Sequence, residues 1–405
     1  MWFLGIDWGE AHHDLCLLDQ DGTVLAARRI ADGLAGVAEL LALVAAHAKN
    51  PTQVAVGIET DRGLLVEALL AAGFQVYAVN PHTMSRYRGR HGSSRAKSDR
   101  GDAKVLADLV RTDRHNHRPV AGNSPLVEAV KVLARAHQSL IWSRQRHVNA
   151  LRSALREFYP GALSALGAQL VEPEALAVLA LAPTPEQGRR LTRAAVRRAL
   201  VGAGRRRNLQ TRVVAIHDAL SAPQLAASAP MESAYREVIA ALVATLGCLN
   251  QQVAVLEQQL ASRFGTHPDA TIVRSLPGLG TVLGARVLGE FGDDPHRYAT
   301  AKGRKAFAGT APVTRSSGLR TVVVARAACN QRLVDACYLW AFAALTASPG
   351  ARRCYDAHRG RGRGASHHQA LRALGNRLVG VLHGCLAHRV IYQEQLAWPA
   401  AEPAA

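Results

Sequence analysis

Hydrophobic and polar positions in the first eighty residues form short apolar runs separated by turn residues, and two of these runs end in an acid. Trp2-Phe3-Leu4-Gly5-Ile6-Asp7 reads as a central strand whose last residue carries a carboxylate to the sheet edge. Residues 14–18 and 23–30 make a second and a third strand around the hairpin turn Asp19-Gln20-Asp21-Gly22. Residues 33–48 have helical apolar spacing, with Asp32 as the expected cap. Val54-Ala55-Val56-Gly57-Ile58-Glu59 repeats the first pattern. A helix over 62–72 and a strand over 75–79 follow, ended by Asn80-Pro81. The order β-β-β-α-β-α-β predicts a mixed sheet with helices on its faces.

From about residue 100 the pattern becomes helical. Lys97-Ser98-Asp99-Arg100-Gly101-Asp102-Ala103-Lys104 opens a helix, and the spacing puts Asp99 and Asp102 on one face at its entrance. Ser124-Pro125 starts a long helix with an apolar stripe from Leu126 to Phe158, broken by His137 and Arg144. Over Met231–Phe264, Tyr235, Ile239, Leu242, Leu246, Leu249, Val253, Leu256 and Leu260 alternate by four and three. This is a heptad seam, expected to form a coiled-coil arm with the earlier helix, with another subunit, or with both. Thr266-His267-Pro268 ends it. Ser275-Leu276-Pro277-Gly278-Leu279-Gly280 then turns into an apolar helix over 281–291, a pattern similar to a helix-hairpin-helix, in which exposed turn amides at Gly278 and Gly280 hold a phosphate. Apolar helices over 333–347 and 367–387 flank an expected basic loop at 352–363, and the Ala/Pro-rich end is expected to be disordered. The expected divisions are 1–120, 121–270, 271–392 and a tail at 393–405.

Charge sharpens this division. Residues 1–85 carry 4 Lys/Arg against 10 Asp/Glu, residues 86–120 carry 10 against 4, and residues 121–405 carry 35 against 17. A net charge of +18 indicates a polyanionic partner, in the first instance nucleic acid. Nine Arg and no acid lie between Arg189 and Arg212, as a phosphate-neutralising surface requires. The six cysteines lack CxxC spacing and read as small buried hydrophobes. No signal-peptide pattern and no apolar run long enough for a bilayer are expected, so a cytoplasmic, nucleoid-associated bacterial protein without a membrane partner is predicted.

Asp7 and Glu59 close two strands that should be neighbours, and Asp99 and Asp102 on the following helix can reach the same edge. Four converging carboxylates repel unless cations lie between them. Two Mg2+ ions would satisfy such a set and serve phosphodiester chemistry. The strand order is ribonuclease-H-like. With Gly5-Ile6-Asp7, Ile58-Glu59 and Lys97-Ser98-Asp99-Arg100-x-Asp102-Ala103, the chain resembles the DEDD transposases of the one-ten family of bacterial insertion sequences, whose N-terminal domain is similar to the RuvC resolvase. Phe307-Ala308-Gly309-Thr310-Ala311-Pro312-Val313-Thr314-Arg315-Ser316-Ser317-Gly318 resembles the family's second signature.

The resemblance implies an α/β RuvC-like domain, a helical arm and a mainly α C-terminal domain. It makes Asp7, Glu59, Asp99 and Asp102 the metal quartet and Ser317 the nucleophile, with Ser316 as second choice. The implied reaction cuts and rejoins donor and target DNA through a phosphoserine, guided by an RNA from the same element. A homo-oligomer is implied as well. Lys97, Arg100, Lys104, Lys302, Arg304, Arg326 and Arg332 are the candidate phosphate contacts. Arg326-Ala327-Ala328-Cys329-Asn330-Gln331-Arg332-Leu333 departs from the family's pattern after the serine. A resolvase-like nuclease using the quartet without a covalent intermediate is the alternative.

Overall fold

A computed structural model describes residues 1–89, 98–120, 122–318, 320–360 and 365–399. Lys97 therefore lies outside the described residues. The chain divides into two compact units, Met1–Asn123 and Ser124–Ala405.

The first unit contains β1 (Trp2–Trp8), β2 (His12–Leu18), β3 (Val24–Ala31), α1 (Leu34–Ala45), β4 (Val54–Ile58), α2 (Leu64–Ala71), β5 (Gln75–Ala78), α3 (Pro81–Arg88) and α4 (Asp99–Asp113). The sheet order is β3-β2-β1-β4-β5. β1–β2 and β2–β3 are antiparallel, and β1–β4 and β4–β5 are parallel. Alternation along β1 divides its side chains between two cores. Leu4 and Ile6 join Leu15, Leu17, Leu40, Val66 and Leu69 on one face. Phe3 joins Cys16, Leu18, Leu106 and Val110 on the other, under α4.

α4 lies so close to the sheet that two glycines are needed beneath it. Gly5 and Gly57 are register partners on β1 and β4. A Cβ on Gly5 would lie 1.8 Å from the Ala103 carbonyl oxygen and 2.5 Å from the Ala107 nitrogen. On Gly57 it would lie 2.6 Å from the Leu106 carbonyl oxygen. These are backbone atoms, so a larger residue must push the helix away rather than turn a side chain aside. α4 begins at Asp99, where Ser98 caps it: Ser98 Oγ accepts a hydrogen bond from the Gly101 amide at 3.1 Å. Asp32 does not cap α1. Gly33 occupies that position with no side-chain cap, and Asp32 instead accepts a hydrogen bond from His13 Nε2 at 3.1 Å.

The second unit is mostly helical. It opens with α5 (Pro125–Phe158), α6 (Pro160–Leu166), α7 (Pro173–Leu181), α8 (Pro185–Arg190), α9 (Arg193–Gly202) and α10 (Leu209–Ser221). Next come α11 (Ala229–Gly265), α12 (Ala270–Ser275), α13 (Thr281–Phe291) and α14 (Ala301–Phe307). A hairpin of β6 (Val313–Ser317) and β7 (Arg320–Val324) precedes α15 (Gln331–Ala347), α16 (Pro349–Gly360), α17 (His367–His388) and α18 (Glu394–Ala397). The expected basic loop at 352–363 is helical as far as Gly360, because Ser348 and Glu394 cap its start: the Ala351 amide donates to Ser348 Oγ and the Gly350 amide to Glu394 Oε1.

α5 and α11 run antiparallel and carry a core at each end. Val127, Val130 and Ala134 of α5 meet Leu260 and Phe264 of α11 among the helices α12 to α17. Leu151, Leu155 and Phe158 meet Ile239, Val243 and Leu246 among α6 to α10. Both polar breaks in the α5 stripe find a partner: Arg144 donates to Asn250 Oδ1 at 3.1 Å, and Arg286 donates to His137 Nδ1 at 3.2 Å, while His137 Nε2 is buried without one among the described residues. Burial, and then the charge of Arg286, pull the His137 pKa below its usual range. By length and composition α11 is apolar enough to cross a bilayer, contrary to the expectation from sequence. One side of it, however, is built into both cores against α5.

α5, α13 and the start of α15 are joined by a buried ion pair. Arg135 grips Glu290 through Nε at 2.6 Å and Nη2 at 2.8 Å, and Asn330 Nδ2 adds a bond at 2.7 Å. Burial alone would raise the Glu290 pKa, but Arg135 and Asn330 hold it below the usual carboxylate range. A depressed carboxyl contributes stability above its unfolded pKa and loses it as pH falls through the folded one. Two expectations follow. Arg135→Ala should cost about 3–5 kcal/mol by stranding a buried charge, and Glu290→Gln should flatten the acid limb of the stability–pH profile measured by urea unfolding. Gly5→Ala should lower the stability of the first unit by about 1–3 kcal/mol or more in the same assay.

Candidate functional site

β1 and α4 place the acids. Phe3, Gly5 and Asp7 alternate onto the face that α4 covers. The Arg114 guanidinium lies 5.3 Å over the Phe3 ring, and Ala103 and Ala107 cover Gly5. The helix therefore runs antiparallel to the strand, which brings its first turn, Asp99 to Asp102, level with Asp7. Ile6 pairs with Ile58, so Glu59 follows β4 beside Asp7 at the same end of the sheet. Asp7 is half-buried, Glu59 and Asp99 are exposed, and Asp102 is only 3 % exposed.

A fifth acid joins them. Asp14 lies directly opposite Asp7 on β2 and is buried. Arg29 donates to Asp14 Oδ2 through Nε at 3.0 Å and Nη2 at 2.7 Å, and its Nη2 also reaches Asp99 Oδ2 at 2.9 Å. Asp14, and then Asp99, raise the pKa of Arg29 still further. Arg88, from the end of α3, lies 2.7 Å from Asp102 Oδ1. Guanidinium groups thus hold three of the five carboxylates in the positions where cations are needed. Arg100 and Lys104 are exposed one turn apart on α4, and the Lys104 charge opposes the upward push that burial gives the Cys16 thiol.

The donors are carboxylate oxygens throughout, a hard set that suits Mg2+ or Mn2+ rather than zinc. Among the described residues, no group of three or more His, Cys, Asp or Glu side chains is drawn tightly enough to hold an ion.

In the second unit, Ser317 is not in a loop between helices. It ends β6 at the tip of the exposed hairpin, paired with Arg320, next to Gly318 at φ +56°. Ser316 Oγ lies 3.2 Å from Thr321 Oγ1, leaving Ser317 nearer the turn. The turn of Gly278 and Gly280 joins α12 to α13. Gly278, at φ +81°, packs against the Ala344 backbone, Trp340 Nε1 donates to the Pro277 carbonyl at 2.9 Å, and Gly280 is exposed.

Lys302 is exposed, whereas Arg304 is buried with its guanidinium 4.7 Å from the Tyr298 ring centre and 5.2 Å from that of Phe291. Arg332 donates to the Arg135 carbonyl, Gln138 Oε1 and Ser139 Oγ of α5. Arg326 donates to the Ala311 carbonyl at 3.4 Å. Several arginines of the 189–212 cluster pair with acids: Arg205 with Glu174 of α7, Arg193 with Asp218 of α10, and Arg190 with Glu186 one turn earlier on α8. Arg197, Arg198, Arg206 and Arg207 are exposed.

Sequence reasoning missed Asp14, Arg29 and Arg88. The first had a signal: Asp14, Cys16 and Leu18 alternate onto the face of Phe3 and Asp7. The other two lie on β3 and at the end of α3, with no local pattern linking them to the acids.

A five-stranded mixed sheet in this order, with acids gathered at one end of its central strand, defines the ribonuclease-H-like class of DNA- and RNA-processing enzymes. Residues 4–160 match the DEDD transposases of IS110 elements, and residues 270–356 match the transposase family IS116/IS110/IS902. The chain is 44% identical to the mini-circle transposase for IS117 of Streptomyces coelicolor, over 98% of this chain and 96% of that one. It is 30% identical to the 42 kDa protein of insertion element IS900 of Mycobacterium paratuberculosis, over 96% of each chain. The 44.8 kDa protein of IS116 of Streptomyces clavuligerus is also 30% identical, over 96% of each. The chain belongs to the IS110/IS116 family of transposases, enzymes that cut and rejoin DNA. DEDD transposases use divalent metal ions.

Because Arg29 bridges two acids, Asp14→Ala should leave that guanidinium with Asp99 alone and lower stability by about 1–3 kcal/mol. Thermal unfolding checks this; an unchanged melting temperature contradicts the role given to Asp14.

Proposed function

We propose that Asp7, Glu59, Asp99 and Asp102 form the metal quartet of a site-specific DNA recombinase and that Ser317 is its nucleophile. Asp7 near the end of β1, level with Asp99 and Asp102 in the first turn of α4, is the observation that carries the reading. Two Mg2+ ions held there would supply positive charge to the non-bridging oxygens of a scissile phosphate. Arg29 and Arg88 hold Asp99 and Asp102 in place until DNA arrives, and Arg100 and Lys104 face solvent where a phosphate backbone can approach.

Ser317 Oγ attacks the phosphorus. An Oγ–P bond forms, the P–O bond to the leaving strand breaks, and the serine proton is passed on as the leaving oxygen becomes a hydroxyl. Attack by the hydroxyl of another strand reverses the step and frees Ser317. One phosphodiester is exchanged for another through a phosphoserine ester, so no ATP is consumed. The exposure of Ser317 at the end of β6 supports this role, since a DNA strand can approach it from solvent.

Gly280 and Lys302, both exposed, fit phosphate contacts, with the α12–α13 turn acting as a helix-hairpin-helix. Arg304 and Arg332 are engaged inside the fold and brace it. The unpaired arginines of α9 and the residues that follow suit a structured RNA partner, which would guide the choice of donor and target DNA.

With supercoiled donor DNA and Mg2+, the wild-type protein should yield a protein–DNA adduct on denaturing gels. Ser317→Ala should abolish the adduct, and Ser316→Ala should retain it. Asp102→Asn should lower strand cleavage by on the order of 10²–10³-fold. Cleavage by Ser317→Ala at the wild-type rate, without an adduct, would instead select the resolvase-like reading.

A further inference from the structure

The hairpin that carries Ser317 has two unlike faces. Its register pairs Val313 with Val324, Arg315 with Val322 and Ser317 with Arg320. Residues directly opposite share a face, as do alternate residues along a strand, so these six lie on one side. Thr314, Ser316, Thr321 and Val323 lie on the other. The first face therefore bears two guanidiniums, the Ser317 hydroxyl and three valines, and the second bears no charge. Ser316 is engaged on that second face, with its Oγ 3.2 Å from Thr321 Oγ1.

Arg315 and Arg320 are exposed, and among the described residues neither has an ion-pair or hydrogen-bond partner. The surrounding chain supplies no counter-charge, since no Asp or Glu occurs from Pro295 to Val334. This sets the two apart from Arg304, Arg326 and Arg332, whose guanidiniums are engaged within the fold. Two cations at diagonal positions on one ribbon face repel, and an anion seated between them relieves that repulsion. Ser317 stands beside both. Its Cβ lies about 4.5–5.5 Å from that of Arg320 across the ribbon, and Arg315 is roughly 6.5–7 Å back along the strand.

We infer that Arg315 and Arg320 form a clamp for the phosphodiester that Ser317 attacks. The inference rests on the nucleophile reading of Ser317 and adds the groups that bind its substrate. A guanidinium fork matches two phosphate oxygens, and arginine keeps its proton. Placed on the face of the hydroxyl, the pair binds the non-bridging oxygens, where negative charge gathers in the transition state. The Oγ–P bond forms while the P–O bond to the leaving strand breaks. The serine proton ends on the leaving oxygen, and the guanidiniums neither give nor take one. Ser316, on the far face, stands away from this clamp, which separates the two candidate serines.

Full-length protein with supercoiled donor DNA and Mg2+ tests the clamp. The protein–DNA adduct is followed in time at saturating protein, and DNA affinity is measured separately by gel shift. Arg315→Ala and Arg320→Ala should each lower the adduct rate by on the order of 10²–10³-fold, with a far smaller change in affinity. Arg320→Lys should recover part of the loss, because charge returns without the fork. Thr314→Ala and Thr321→Ala, on the opposite face, should match the wild type. Wild-type rates for both arginine variants, in a protein whose Ser317→Ala form makes no adduct, overturn the clamp and leave the nucleophile reading standing. Equal losses in Thr321→Ala and Arg320→Ala assign the effect to the fold of the ribbon and overturn the clamp too, as does a loss confined to affinity. An adduct that persists in Ser317→Ala removes the nucleophile reading itself, and the clamp with it.

Discussion

The close approach of α4 to the sheet over Gly5 and Gly57 is the constraint on which the candidate site depends. Helix and sheet meet backbone to backbone there, since any Cβ on Gly5 would overlap the Ala103 carbonyl. That proximity brings the first turn of α4 level with Asp7 and lets two acids of a helix and two of adjacent strands share one edge. Hydrophobic burial alone would not specify so short a distance. The helix would rest on a layer of side chains, and its first turn would stand farther from Asp7.

Gathering carboxylates in one place is unfavourable, and the first unit offsets it locally. Arg29 ties Asp14 to Asp99, and Arg88 holds Asp102. These pairs offset the repulsion at the edge. A related economy runs through the second unit, where α5 and α11 serve two cores at once and the Arg135–Glu290 pair ties α5 to α13.

Much of this was legible in the chain itself. Short apolar runs ending in an acid located β1 and β4, and with them Asp7 and Glu59, because a run bounded by turn residues is a local signal. Ser124-Pro125 and the long apolar stripes located α5 and α11 for the same reason. The family signatures, rather than any spacing, singled out Ser317, and nothing in Ser-Ser-Gly announced a hairpin tip. Asp32 illustrates the limit: its type suited a cap, but tertiary contact with His13 decided its place. Arg29 and Arg88 were beyond reach because Asp99 and Asp102 reach them from another element of the sheet edge, and Arg304 because its charge hid a guanidinium buried against Tyr298 and Phe291. The basic stretch after Pro349 looked like a loop by composition, yet Ser348 and the distant Glu394 make it a helix.

The account stands or falls on the acidic edge being a metal site built by α4. Titrating the full-length protein with Mn2+, followed by electron paramagnetic resonance of the free ion, tests this without DNA or turnover. The account predicts bound Mn2+ in the wild type, displaced by excess Mg2+, and binding weakened at least about 10-fold by Asp7→Asn or Asp102→Asn. Equal Mn2+ binding by the wild type and both variants would contradict it.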